Sequence, residues 1–350
     1  MFLIILVLDL TRKIRLLDKK FMKQLKKSLL LLFVGCSFLG TAQDPEFTQF
    51  YANPIYLNPA MAGTHGCPRV NMNYRNQWSN ITGAFVTHTV SYDQYVNSIH
   101  GGLSIQLMND AAGQNVINWN ALNLAYSYHL NLTKKYTLLF GVQAGWNQKF
   151  LNWSELTFGD MIDPRKGFIY QTGDVKSGRE VGNNWTTKGF FDVGAGLVVF
   201  SKSFYAGFST KHLNRPNESL ILSANGSRLP MRFTGHMGAK IPLGGNSKYG
   251  STVSLSPNVI YTYQDEFNQL NLGLYAQYSL LTFGTWLRPR DAFIMSLGID
   301  TGNLRFGYSY DVTISSLSNA SGGSHELSLA KKFNCRKTIR SFRTISCPSF

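Results

Sequence analysis

The chain has 350 residues, of which 15% are charged, 44% hydrophobic and 13% aromatic, with 32 glycines; cytosolic enzymes carry about a quarter charged, and an aromatic, glycine-rich balance suits short twisted strands better than helices. The net charge of +15 is no nucleic-acid signature: residues 1–42 hold eight bases and two acids, residues 331–350 six bases and no acid, so +6 at each end leaves +3 for everything between. No basic stripe with interleaved aromatics crosses that middle, which argues against a nucleic-acid partner.

Lys23, Lys26 and Lys27 form a charged start, and Leu29 to Val34 with Phe38 and Leu39 an apolar run. Gly40 and Ala42 supply small residues for a cut before Gln43. Together they predict a secretory signal peptide over residues 1–42, in which Met22 is a sufficient start and residues 1–21 are surplus. Two other readings remain open. A lipobox ending at Cys36 fits Phe33-Val34-Gly35 poorly, and an uncleaved anchor has less than the ~20 apolar residues that a spanning helix needs. Each reading exports the chain.

Residues 43–66 open the mature protein with QDPEFTQFYANPIYLNPAMAG and its continuation. Pro45, Pro54 and Pro59 each remove a backbone donor and push the preceding residue towards extended backbone, which predicts a non-regular segment. Yet Phe47, Phe50, Tyr51, Leu57 and their neighbours are too apolar to leave in water, so the segment must pack against something larger.

From residue 67 to 334 the pattern alternates. Leu122, Leu124, Tyr126, Tyr128 and Leu130 alternate with Asn123, Ala125, Ser127 and His129, and the same period returns at 138–147, 270–279 and 304–311. Such alternation gives a strand one greasy and one small, polar face. No apolar run here is long enough for a spanning helix, so an exported membrane protein must be a closed barrel. The expected fold is all-β: an outer-membrane antiparallel β-barrel of about fourteen strands, with the 43–66 segment plugging or capping the lumen; the alternative is a water-soluble sandwich with the greasy face as its core. Strands are predicted near 68–77, 84–94, 99–110, 118–131, 136–150, 189–200, 203–212, 231–242, 249–262, 268–278, 280–288, 292–300, 303–313 and 324–334. Every second link is short, whereas 151–188, 213–230 and 314–323 are long, an asymmetry that puts both chain ends in the periplasm.

The 151–188 segment carries Trp153, Phe158, Phe168, Tyr170 and Trp185, an aromatic load that makes either a self-packed lid or a partner surface. Residues 335–350, CRKTIRSFRTISCPSF, form a basic tail in which Arg336, Lys337, Arg340, Phe342 and Arg343 are either disordered or offered to a periplasmic partner. Cys67 precedes the first strand and Cys335 follows the last. In a closed barrel those ends meet, so Cys67 can pair with Cys335 or Cys347; three unpaired thiols is the alternative. No His or Cys pair has metal-ligand spacing, no nucleotide or hydrolase motif occurs, and no cofactor is expected. His129 has no assignable nucleophile, and the acids of the long loop fit no calcium motif.

The opening Gln49-Phe50-Tyr51, Asn53-Pro54 and Leu57-Asn58-Pro59-Ala60, the Tyr74-Arg75-Asn76-Gln77-Trp78 of the first strand, and the closing Phe333-Asn334-Cys335 with Phe342 to Phe350 resemble the PorP/SprF-type membrane proteins of the type IX secretion system of Bacteroidota. The resemblance implies a non-enzymatic outer-membrane component of that secretion and gliding machinery, in contact with membrane lipid. It further implies work with the periplasmic core and motor proteins, or partnership with one secreted adhesin through its C-terminal sorting domain, for export or surface attachment. An outer-membrane solute channel or hydrophobic-compound transporter with an N-terminal plug is the alternative.

Overall fold

The computed structural model describes residues 44–152, 155–156, 159–163, 165–168, 185–220, 227–243, 253–315 and 321–334. Fourteen strands form the wall: β1 Arg69–Gln77, β2 Phe85–Val96, β3 Gly101–Ala112, β4 Ile117–Asn131, β5 Thr137–Asn152, β6 Trp185–Phe200, β7 Phe204–Lys211, β8 Arg232–Ala239, β9 Val253–Gln264, β10 Phe267–Tyr278, β11 Leu281–Arg288, β12 Ala292–Asp300, β13 Leu304–Thr313 and β14 Ser324–Lys332. Each pairs antiparallel with its sequence neighbours. The wall closes where β1 pairs with β14, Arg69 opposite Lys332 and Gln77 opposite Ser324. Closure leaves no strand edge running round the barrel, the condition for a sheet in a bilayer.

The side chains are arranged inside out relative to a water-soluble protein. On β4, Leu122, Leu124, Tyr128 and Leu130 are exposed, whereas Ala121, Asn123, Ala125 and Ser127 are buried. β1 buries Asn71, Asn73 and Arg75 and exposes Met72 and Tyr74. The greasy face meets lipid and the polar face lines the lumen. Among the described residues no helix is long and apolar enough to cross a membrane; the strands cross it.

Turns 97–100, 132–136, 201–203, 279–280 and 301–303, and the facing ends of β8 and β9, lie on the rim that also holds both barrel ends, where the Phe333 N–H donates to the Pro68 carbonyl at 2.9 Å. Turns 78–84, 113–116, 265–266 and 289–291 lie on the other, as do the facing ends of β5 and β6, β7 and β8, and β13 and β14.

Most described strand ends fall within about two residues of expectation, and two departures have a physical reason. β6 begins at Trp185 rather than near 189, because β5 runs to Asn152 and its register requires a partner there; Thr186, Thr187 and Lys188 look like loop in one dimension. The expected strand 231–242 breaks after Ala239, and Ile241–Pro242 forms a separate short pairing on β9. Proline cannot donate to a ladder, so it belongs at such an edge.

Candidate functional site

The lumen contains chain. Residues 44–66 form an arm whose partners are inward-facing residues on strands all round the wall. The expected non-regular backbone is corrected here: Phe50–Ala52 is a 3-10 turn, Pro54–Leu57 one turn of α-helix and Pro59–Met61 a second 3-10 turn. Pro54 and Pro59 occupy first helical positions, where the missing N–H has no intrahelical acceptor to lose. Asn53 and Asn58 before them lie outside the helical region, with φ −120° and −158°, as a following proline demands.

At the loop-bearing rim the arm is held by charge. Asp44 Oδ2 lies 2.8 Å from His212 Nε2, and Asp44 Oδ1 accepts from Gln264 Nε2 at 3.3 Å. The Arg232 guanidinium donates to Glu46 at 2.6 Å and to the Tyr56 hydroxyl at 3.2 Å, and His212 Nδ1 faces Asp192 at 3.0 Å. Burial alone would raise the Asp44 pKa, but the His212 and Arg232 cations hold it far below the carboxylate range. For His212, burial acts downwards and is overridden by Asp44 and Asp192, which push it up to about 9. Residues 212–220 and 227–231 pack at this mouth: Glu218 pairs with Lys149, Leu229 is buried, and Gln264 donates to the Pro230 carbonyl.

Deeper in the lumen, Glu326 accepts from the Thr48 N–H at 2.6 Å, the Thr48 hydroxyl at 2.8 Å and the Gln49 N–H at 3.3 Å. Arg75 spans Glu326 and Asp311, at 3.4 and 2.9 Å, and donates to Thr48 Oγ1 at 3.0 Å. Both carboxylates are thereby paired, and the arm's backbone donors meet one of them. Phe50 and Tyr51 pack on Trp286 and Tyr205. Phe50, Tyr51, Leu57, Ala60 and Met61 join inward-facing Leu139, Val198, Ile260 and Ile294 in one core. Asn53 donates to Thr89 Oγ1 at 3.0 Å and accepts from Gln106 Nε2 at 2.9 Å.

Towards the other rim the arm lies directly on backbone. Asn58 Nδ2 donates to the Leu197 and Phe208 carbonyls, both at 3.2 Å, while its Oδ1 accepts from the Ala60 N–H at 2.9 Å. Ser209 donates to the Leu57 carbonyl and Ser127 to that of Ala60. A Cβ at Gly141 would stand 2.5 Å from both Ala60 Cα and Pro59 C, so only glycine allows this approach. Gly63, at φ +68°, sets its N–H on Asp93 Oδ2 at 3.0 Å, and Asp93 is clamped by Arg69 at 2.9 and 3.1 Å. His129 Nε2 lies 3.1 Å from the Ala62 carbonyl: it touches the arm.

All eight residues singled out in the arm, Phe47, Phe50, Tyr51, Asn53, Pro54, Leu57, Asn58 and Pro59, are buried against this lining. Of the loop aromatics, Trp153, Phe158 and Tyr170 lie outside the described residues. Phe168 belongs to a two-residue ribbon with Ile162, and Trp185 opens β6. Cys67 is disulfide-bonded; Cys335, Cys347 and the tail residues Arg336, Lys337, Arg340, Phe342 and Arg343 lie outside the described residues. Arg232, His212, Asp93, Glu326 and Gly141 had not been singled out. Their signal was an isolated charge, or a missing side chain, on the polar face of a strand.

Among solved structures, the outer membrane protein Omp33 of Acinetobacter baumannii is similar over 77% of this chain and 100% of its own, at 9% identity and a TM-score of 0.41. The CymD monoaromatic hydrocarbon channel is similar over 81% and 93%, at 11% identity and a TM-score of 0.40. Likenesses of this size carry no argument about what this chain does. No curated protein matches it. The family described as "Type IX secretion system membrane protein PorP/SprF" matches residues 39–330, all of the arm and all but the end of the wall. The chain is thus an outer-membrane β-barrel and belongs to the PorP/SprF family of type IX secretion system membrane proteins.

Proposed function

We propose that this protein is a sealed outer-membrane anchor that assists a secreted protein, such as an adhesin recognised through its C-terminal sorting domain, in export or surface attachment. PorP/SprF proteins are secretion-system membrane barrels, which is not an enzyme class. The observation that carries the reading is the occupied lumen: Gln49, Ile55, Asn58 and Ala60 of the arm are 0% exposed. A barrel filled by its own chain, tied to the wall by buried ion pairs and by backbone contact on glycine, offers a solute no free path and leaves its rims and loops to do the work.

In this reading the leader, residues 1–42, is removed on export, 43–66 seals the barrel of 67–334, and 335–350 meets core or motor proteins in the periplasm. The outer loops, foremost 153–184 with its aromatics, hold the secreted partner. Cys67 is bonded to Cys335 or Cys347, pinning the tail to the base of the arm; the pairing of Pro68 with Phe333 supports this by bringing the two ends together.

The test is conductance in planar bilayers. The purified barrel is expected to give no channel steps, and a variant lacking residues 44–62 is expected to give them. Steady open-pore conductance of the unaltered protein would overturn the sealed reading in favour of a solute channel.

A further inference from the structure

The arm has a direction. Asp44 sits against His212, Arg232 and Gln264. His212 follows the last residue of β7, Arg232 is the first of β8 and Gln264 the last of β9, so all three lie on the rim where the long links from β5 to β6 and from β7 to β8 begin and end. The arm's other end lies at the opposite rim, where Ala62 and Gly63 meet His129 and Asp93 near the ends of β4 and β2. From there Cys67 and Pro68 lead straight into β1, beside Phe333. Between these points the chain descends to Tyr51, which packs on Tyr205 near the base of β7, and returns to bring Tyr56 beside Arg232 and Pro45. It then descends again along Asn58, Ala60 and Ala62.

In an outer-membrane barrel the rim with the chain ends and short turns is periplasmic, and the rim with the long loops faces outward. We propose that the arm threads the lumen from end to end and that the mature N-terminus, just before Asp44, is displayed on the cell surface. This goes beyond the sealed-anchor reading and does not depend on it, because it concerns the direction of the arm and not its tightness.

Two consequences follow. The arm is no periplasmic plug with a free end: its end at the periplasmic rim is residues 63–67, which continue into β1, so a machine in the periplasm cannot draw out a terminus that lies outside. The terminus is instead an extracellular element, fixed by the Asp44, Glu46, His212 and Arg232 cluster beside the outer loops.

The test uses the full chain with its own leader, in outer membranes of the native host. Gln43→Cys is labelled on intact cells with a membrane-impermeant maleimide, and peptide mapping locates the label. Asp265→Cys in the outer 265–266 turn and Lys134→Cys in the 132–136 turn serve as references. The expected result is labelling of Gln43→Cys on intact cells at the level of Asp265→Cys, with Lys134→Cys labelled only after permeabilisation. A short epitope inserted between Gln43 and Asp44, read by antibody on intact cells, gives the same answer without relying on the cysteine variant. Reaction only after permeabilisation, or protection on both sides in a folded barrel, overturns the proposal.

Discussion

Replacing Gly141 by alanine places a methyl group where the arm's own backbone lies. Its carbon would stand 2.5 Å from Ala60 Cα and from Pro59 C, whereas carbons rest about 3.5 Å apart. The deficit of about 1 Å cannot be relieved by a rotamer, because both partners are main chain. Ala60 is further tied by Ser127 and Asn58, and the wall by the Gly141 to Ser127 and Gly141 to Gly196 registers. Overpacking of this kind costs about 1–3 kcal/mol, so the ratio of seated to unseated arm falls about 5- to 150-fold. No charge or hydrogen-bonding side chain is removed, so the loss isolates the fit. Gly235→Ala is the control, since its Cβ would meet nothing within 4 Å. The assay is single-channel conductance together with protease sensitivity of the arm, in barrels that keep the folded gel mobility. Gly141→Ala should show intermittent openings and cleavage within residues 44–62; behaviour like Gly235→Ala would refute close backbone contact as what seats the arm.

Arg75→Met leaves Glu326 and Asp311 buried without their cation, a loss of about 3–5 kcal/mol that should lower the temperature at which the barrel loses its folded gel mobility; Arg75→Met with Glu326→Gln should recover part of it, and an unchanged temperature would refute the role. The His212 pKa is raised in the fold from 6.5 to about 9, so its contribution is complete below about pH 6.5 and disappears as pH rises through about 9. Protease protection of the arm's outer end should fall over that window and lose its pH dependence in His212→Gln; equal profiles would refute the lock. Deleting residues 153–184 from an inserted barrel should release the secreted partner into the medium, and retention at the surface would refute the loop's part. Peptide maps without reductant should join the Cys67 peptide to that of Cys335 or Cys347; a Cys67 peptide unlinked to both would refute the pairing.

The barrel was legible because one strand face is greasy and the other small and polar, a period that survives without knowledge of partners. β4 and β12 fall within a residue of expectation for that reason. The arm's helical turns were hidden: three prolines in a short stretch read as broken backbone, and only the placement of Pro54 and Pro59 at first helical positions makes them compatible with turns. The seat was harder still. Gly141 is one of many glycines, and although alternation puts it on the polar face, nothing local shows that Ala60 lies against it. Arg75 was visible within a motif, yet its partners Asp311 and Glu326 are distant in sequence and meet it only because β1 closes on β14, a long-range consequence of the fold.

The central claim, that this barrel serves a secreted protein rather than a solute, is tested most directly by purifying the tagged protein from native outer membranes in mild detergent and identifying what comes with it. The account predicts a large secreted protein, or a periplasmic motor component, in stoichiometric amount. A solitary barrel that conducts when reconstituted would contradict it.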